Sequence, residues 1–333
     1  PMLPSSAPGS QAACRGVLYT CFPRFQHASV QRAVAVAITD SQQAKSGEGL
    51  IQFDFHGVIV SIDCADAEVR KRVATDFSYF RIPHDSPEQR DPPGDAISLR
   101  LNREAPHYDD LPNVRAKIYT PRNVCYPDGP ATYIDYFGKA LAVNDTASGR
   151  FEVWSENAHL LHEITFLTIL ARVCGELEKQ GIHRVHALCV ESKDRAALFM
   201  MPSGGGKTTL ALEFLGKDSP VRLVSEDSPL VNSKGDILPF PLRIGVKQRP
   251  EGYADEHITR IERMEFDPKH LISLDAFGGK LATGPSKPAF VFIGERMLGR
   301  GCTIREVGKL KGLASLLRHM IIGVGLYQGV EFI

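Results

Sequence analysis

The sequence predicts a mixed α/β protein: an α+β portion comes first, and an α/β portion built around a phosphate-binding turn follows it. Three observations carry that prediction. Short strand-like runs crowd residues 50–154, a long apolar helix pattern follows, and short apolar runs then alternate with loops and one helix. Within that last stretch a strand, three consecutive glycines and a helix come directly after one another, the order that a phosphate loop requires.

In order along the chain, residues 1–15 are rich in Pro, Ser, Gly and Ala and read as a flexible arm. Leu50–Phe55 and Val58–Ile62 flank His56-Gly57 and read as a hairpin. Asp66 is placed to cap a helix whose apolar side shows Val69, Val73 and Phe77. Further strands are expected at 96–101, 116–119, 132–137, 139–143 and 151–154, with proline-rich, charged loops at 84–94 and 103–114. A helix from about Glu156 to Lys179 ends at Gly181, where a C-terminal cap belongs. It carries His159, His162, Glu163, Arg172 and Glu176, so it reads as a buried or amphipathic helix and not as a membrane span. Strands are expected at 186–190 and 196–200 around the turn Glu191-Ser192-Lys193-Asp194, a helix at 208–215, and a strand at 221–224. The expected divisions are therefore the arm 1–15, an N-terminal α+β portion 16–155, and a C-terminal portion 156–333. The apolar run from Met320 reads either as a chain cut short or as a segment docking on the body.

The 333 residues suffice for a core without covalent staples. Lys plus Arg balances Asp plus Glu at 39 each, so no basic excess points to nucleic acid or to an anionic membrane. The start lacks a basic stretch followed by an apolar one, and the 7 cysteines are odd in number and form no CxxC pair. A reducing cytoplasm fits this usage.

The chemistry concentrates in Pro202-Ser203-Gly204-Gly205-Gly206-Lys207-Thr208-Thr209. Glycines let backbone N–H groups curl around phosphate oxygens, and the following helix turns its positive end to the same anion. Lys207 can reach the β- and γ-phosphates of a nucleoside triphosphate, Thr208 can ligate Mg²⁺, and Thr209 adds a peripheral hydroxyl. Met201 stands where the full pattern has glycine. Downstream, Ser225-Glu226-Asp227-Ser228 follows a strand, where one carboxylate can hold Mg²⁺ and the other orient an attacking hydroxyl. His186 either faces this site or is a polar residue at a strand edge. Arg243 and Lys247 either neutralise phosphoryl charge or are ordinary surface cations.

Val185-His186-Ala187-Leu188, the loop 202–211, and Arg222-Leu223-Val224-Ser225-Glu226-Asp227 together resemble the HPr kinase/phosphorylase superfamily over about residues 183–250. That resemblance implies a P-loop HPr-kinase-like C-terminal domain behind the N-terminal α+β portion, with ATP and Mg²⁺ as cofactors. It implies γ-phosphoryl transfer to a serine-type hydroxyl of a peptide, a protein or a small molecule. Ser203 to Thr209 would be the phosphate loop and His186 the active-site histidine. Glu226 and Asp227 would stand for paired aspartates, either of which can be the base. The family's downstream glutamate is replaced by Leu242 while the arginine, Arg243, is kept. A nucleotide-sensing protein, a nucleotide hydrolase and a nucleotidyl transferase stay open as alternatives. The N-terminal portion would shape the acceptor site, form a homo-oligomer contact, or complete the kinase core.

Overall fold

A computed structural model describes residues 49–83, 97–216, 219–263, 267–298 and 301–321. The expected arm 1–15 and the loop 84–94 lie outside the described residues. The described residues belong to one compact unit.

β1 (Leu50–Phe55) and β2 (Val58–Cys64) form the expected hairpin. His56 and Gly57 both take positive φ, 56° and 94°, the two-residue mirror-image turn whose twist matches that of the strands. Asp66 accepts a 2.8 Å hydrogen bond from the Val69 N–H and so starts α1 (Ala67–Asp76), which buries Val69 and Val73. β3 (Ile97–Asn102), β4 (Ile118–Tyr119), β5 (Val124–Asp128), β6 (Ala131–Asp135), β7 (Leu141–Asp145) and β8 (Arg150–Trp154) complete an eight-stranded sheet. Its order is β1-β2-β3-β8-β7-β6-β5-β4. β2, β3 and β8 run parallel, and β8 to β4 form an antiparallel meander. β5 escaped the sequence reading because Pro127 and Asp128 carry turn propensity at its end.

α2 (Ala158–Lys179) is the expected long helix. Asn157 caps its first turn, and Gly181 leaves it at φ 74°. Leu161, Ile164, Ile169, Val173 and Leu177 pack with Phe53, Phe55, Leu99, Ile134 and Phe151 of the sheet in one core. Leu230, Leu238 and Phe240 enter that core from the C-terminal half of the sequence. The Tyr79 hydroxyl also donates to the Ala282 carbonyl at 2.7 Å. A buried ion cluster ties the same halves together. Asp76 lies 2.6 Å from Nε2 of His162 and pairs with Arg243, whose guanidinium carbon sits 3.9 Å above the Phe166 ring.

The remaining elements are β9 (His183–Val185), β10 (Leu188–Ser192), β11 (Arg195–Met200), α3 (Lys207–Phe214), β12 (Arg222–Ser225), β13 (Leu230–Val231), β14 (Ile237–Leu238), β15 (Ile244–Val246), β16 (Ile258–Ile261), β17 (Lys269–Ile272), β18 (Lys287–Ile293), α4 (Lys309–His319) and β19 (Met320–Ile321). They form three small sheets, β12-β10-β11-β18, β14-β13-β9-β19 and β15-β17-β16. The architecture is thus mixed α/β with several sheets, and among the described residues no helix is long and apolar enough to cross a membrane. Met320 and Ile321 pair as a strand beside β9, and the rest of the apolar run lies outside the described residues.

Candidate functional site

Strand direction assembles the site. β10 is antiparallel to both β11 and β12, and β18 is parallel to β11. The C-terminal ends of β11, β12 and β18 therefore share one edge with the N-terminal end of β10. The glycine loop leaves β11 at that edge, Glu226 and Asp227 leave β12, and His186 precedes β10. The acidic pair does not come from the strand beside β11, because β10 lies between them.

Gly204 and Gly206 have φ of 73° and 99°, and a Cβ at either would meet no atom within 4 Å. Backbone conformation, not space, is what asks for glycine there. The Gly205 N–H donates to the Pro202 carbonyl at 2.9 Å. Gly206 is the N-cap of α3 and supplies no side-chain acceptor, which leaves first-turn N–H groups of α3 to an external anion. Ser203 and Thr209 are exposed beside them.

The Lys207 ammonium, on a buried side chain, lies 2.9 Å from Nε2 of His186 and 3.2 Å from the Met201 carbonyl oxygen. It is also 3.4 Å from Oδ1 of Asp227, which in turn is 3.1 Å from Nε2 of His186. The Thr208 hydroxyl donates to Oε1 of Glu226 at 2.5 Å. Burial raises the Glu226 carboxyl above its ordinary range and the Asp227 charge adds to this, against the Thr208 hydrogen bond and the Lys207 and Lys269 charges. Burial acts the same way on Asp227, but there the hydrogen bond and charge of His186 and the charge of Lys207 outweigh it and hold the carboxyl low. Two adjacent carboxylates are thus pushed apart by their partners, the pattern of two groups with different tasks.

Met201 occupies the position where the full loop pattern has glycine, and its side chain lies against another glycine, Gly294. Gly294 follows β18, donates its N–H to the Met200 carbonyl at 2.9 Å, and leaves room for the Met201 thioether. A Cβ at Gly294 would sit 2.9 Å from Met201 Sδ and nearer still to Cγ.

Two further residues belong to the neighbourhood. Lys269, on β17, lies along Gly245, and its charge acts on both Glu226 and Asp227. Burial, then the Arg263 charge, holds its ammonium below the ordinary lysine value. A lone lysine in a short strand, over forty positions past the acidic pair, carries no sequence signal. His319, at the end of α4, accepts the His186 backbone N–H on its carbonyl at 2.7 Å and stacks its ring on that of His186 at 6.3 Å. Arg243 is engaged elsewhere, by Asp76 and Phe166. Lys247 is exposed.

The residues suit a magnesium-bound polyphosphate. Mg²⁺ takes one or two oxygen ligands from protein together with phosphate oxygens, and Thr208 Oγ1 with Glu226 Oε1 forms such a pair. Comparison of the chain with protein-family models and with curated proteins returned no match.

Proposed function

We propose that this protein is an ATP-dependent kinase that transfers the γ-phosphoryl group to a hydroxyl of a peptide, protein or small-molecule acceptor. The observation that carries the reading is the convergence at one sheet edge of the glycine turn, Lys207, the Thr208–Glu226 pair and the His186–Asp227 pair. Magnesium-bound ATP would supply the phosphoryl group and a metal charge that offsets the negative charge on its oxygens.

Each chain residue then has a separate task. Gly204 to Gly206 and the first turn of α3 hold phosphate oxygens through backbone N–H groups. Lys207 exchanges its contact with the Met201 carbonyl for the β- and γ-phosphates. Thr208 and Glu226 hold the metal side. Asp227, its side chain half open to solvent and kept ionised by His186 and Lys207, takes the proton of the acceptor hydroxyl. That oxygen bonds to the γ-phosphorus as the bond to the bridging oxygen breaks, and ADP leaves. Arg243, held by Asp76, acts by fixing the chain that leads into β15. Most of the rate would come from positioning and charge neutralisation.

Incubation with γ-labelled ATP, Mg²⁺ and candidate hydroxyl acceptors tests the reading. Label on an acceptor, lost in the Asp227→Asn variant, is the expected result. Release of labelled phosphate alone would replace the kinase with a hydrolase, and release of labelled pyrophosphate would replace it with a nucleotidyl transferase.

A further inference from the structure

Over β5, β6 and β7, in the antiparallel part of the eight-stranded sheet, one face carries a cavity of about 230 Å³. Its position follows from strand alternation. Cys125, Ile134 and Ala142 point into the core shared with α2, so their neighbours Tyr126, Tyr133, Asp135 and Leu141 lie on the opposite face. Tyr126 pairs across from Tyr133, and Asp135 from Leu141. Segment 103–114, which contains Tyr108 and Pro112, has no helix or strand and closes over these residues. Such an outer face is ordinarily polar and open to water. Here it is aromatic and forms a half-open hollow.

The polar groups in the hollow are unequally satisfied. Oδ1 of Asp135 accepts from the Tyr108 hydroxyl at 2.8 Å and from the Gly138 N–H at 2.9 Å. Among the described residues, Oδ2 accepts from no protein donor and no cation pairs with the carboxylate, and both hydrogen bonds to Oδ1 lie toward solvent. No lysine, arginine or histidine lines the cavity. Asp128 and Asp145 lie close enough to Tyr133 to act on its hydroxyl. A volume of this size suits a small organic group.

We propose that this cavity binds an organic cation, an alkylammonium or guanidinium group, whose charge meets Oδ2 of Asp135 and whose carbon surface packs against Tyr108, Tyr126 and Tyr133. Aromatic rings with one carboxylate favour such a cation over a metal ion, because the rings attract positive charge yet offer no strong ligand atoms. The site stands apart from the phosphate loop, and its occupancy does not depend on phosphoryl transfer.

Ligand-observed NMR titration of the full chain tests this, with choline, its neutral isostere 3,3-dimethyl-1-butanol, and the capped peptide acetyl-Gly-Arg-Gly-amide as probes. Saturable binding of choline or of the peptide is expected, with the neutral isostere weaker by about tenfold or more. Choline binding alone would indicate a free amine as the natural source, and peptide binding alone a cationic side chain. Asp135→Asn keeps an acceptor for Tyr108 and should weaken binding by a similar factor. Tyr126→Leu, which keeps apolar bulk, should weaken it too and serves if the first variant does not fold. Equal binding of the neutral isostere, binding unchanged in both variants, or no saturable binding of either cation would overturn the proposal.

Discussion

The cluster of Asp76, His162 and Arg243 allows the sharpest stability prediction. Asp76 and His162 side chains are 5% and 4% exposed, and the Arg243 side chain 11%. Removing one partner of such a pair strands a buried charge, at a cost of about 3–5 kcal/mol, whereas replacing both with apolar groups of similar volume is often near neutral. Asp76→Leu and Arg243→Met should therefore each lower the unfolding free energy by about 3–5 kcal/mol. The double variant should be less destabilised than the sum of the two by at least about 2 kcal/mol, since contacting residues couple by amounts of this order. Arg243→Met also keeps a chain long enough to cover Phe166, so the loss reports the ion pair more than the packing. Urea unfolding followed by Trp154 fluorescence supplies all four free energies. Single-variant costs below about 1 kcal/mol, or simple additivity, would refute the claim that this pair joins the two halves of the fold.

Three other outcomes follow from the same geometry. Gly294→Ala should destabilise by about 1–3 kcal/mol through contact with the Met201 side chain, and Met201→Ala should relieve most of that cost; an equal fall in unfolding free energy on Gly294→Ala in both backgrounds would contradict it. Asp76 has its carboxyl lowered, burial being outweighed by the Arg243 and His162 charges. Its contribution is therefore present above the unfolded value of about 3.9 and is lost as pH falls through the lower native value; an unfolding midpoint that falls between pH 5 and 3 as steeply in Asp76→Asn as in the parent would contradict this. Asp227→Asn should reduce turnover by about 10² or more with little change in nucleotide affinity, the size of a lost general base, while Glu226→Gln should raise the magnesium concentration needed for half-maximal rate; full turnover in both would remove the pair from the mechanism.

Much of the site was legible because its signals are local. The hairpin turn at His56-Gly57, the Asp66 cap, the Gly181 exit and the glycine turn before Lys207 each need a few adjacent residues to declare themselves. Glu226 and Asp227 were legible as an acidic pair after a strand, but the strand order was not, since β12 reaches the edge across β10. Arg243 shows the limit plainly. Downstream of the loop it reads either as a phosphate neutraliser or as an ordinary surface cation, and only the fold reveals Asp76, 167 positions away, as its partner. Lys269 and Gly294 were illegible for the same reason, as each matters through a contact made after strand pairing. The long helix was placed well, yet its packing against the eight-stranded sheet depends on Phe240 and Leu238, which come sixty residues later. A core shared in this way favours the reading in which the N-terminal portion completes the fold on which the loop is mounted.

The central claim is that the loop from Ser203 to Thr209 binds the polyphosphate of ATP, and thermal unfolding with and without Mg²⁺-ATP tests it most directly. A ligand at about 100 times its dissociation constant stabilises the native state by about 2.7 kcal/mol, which raises the melting temperature of a protein of this size by several degrees. The account predicts that rise for the parent protein and its near-complete loss in Lys207→Ala, with the melting temperature of the nucleotide-free variant close to that of the parent. An undiminished rise in Lys207→Ala, or no rise in the parent at saturating Mg²⁺-ATP, would contradict it.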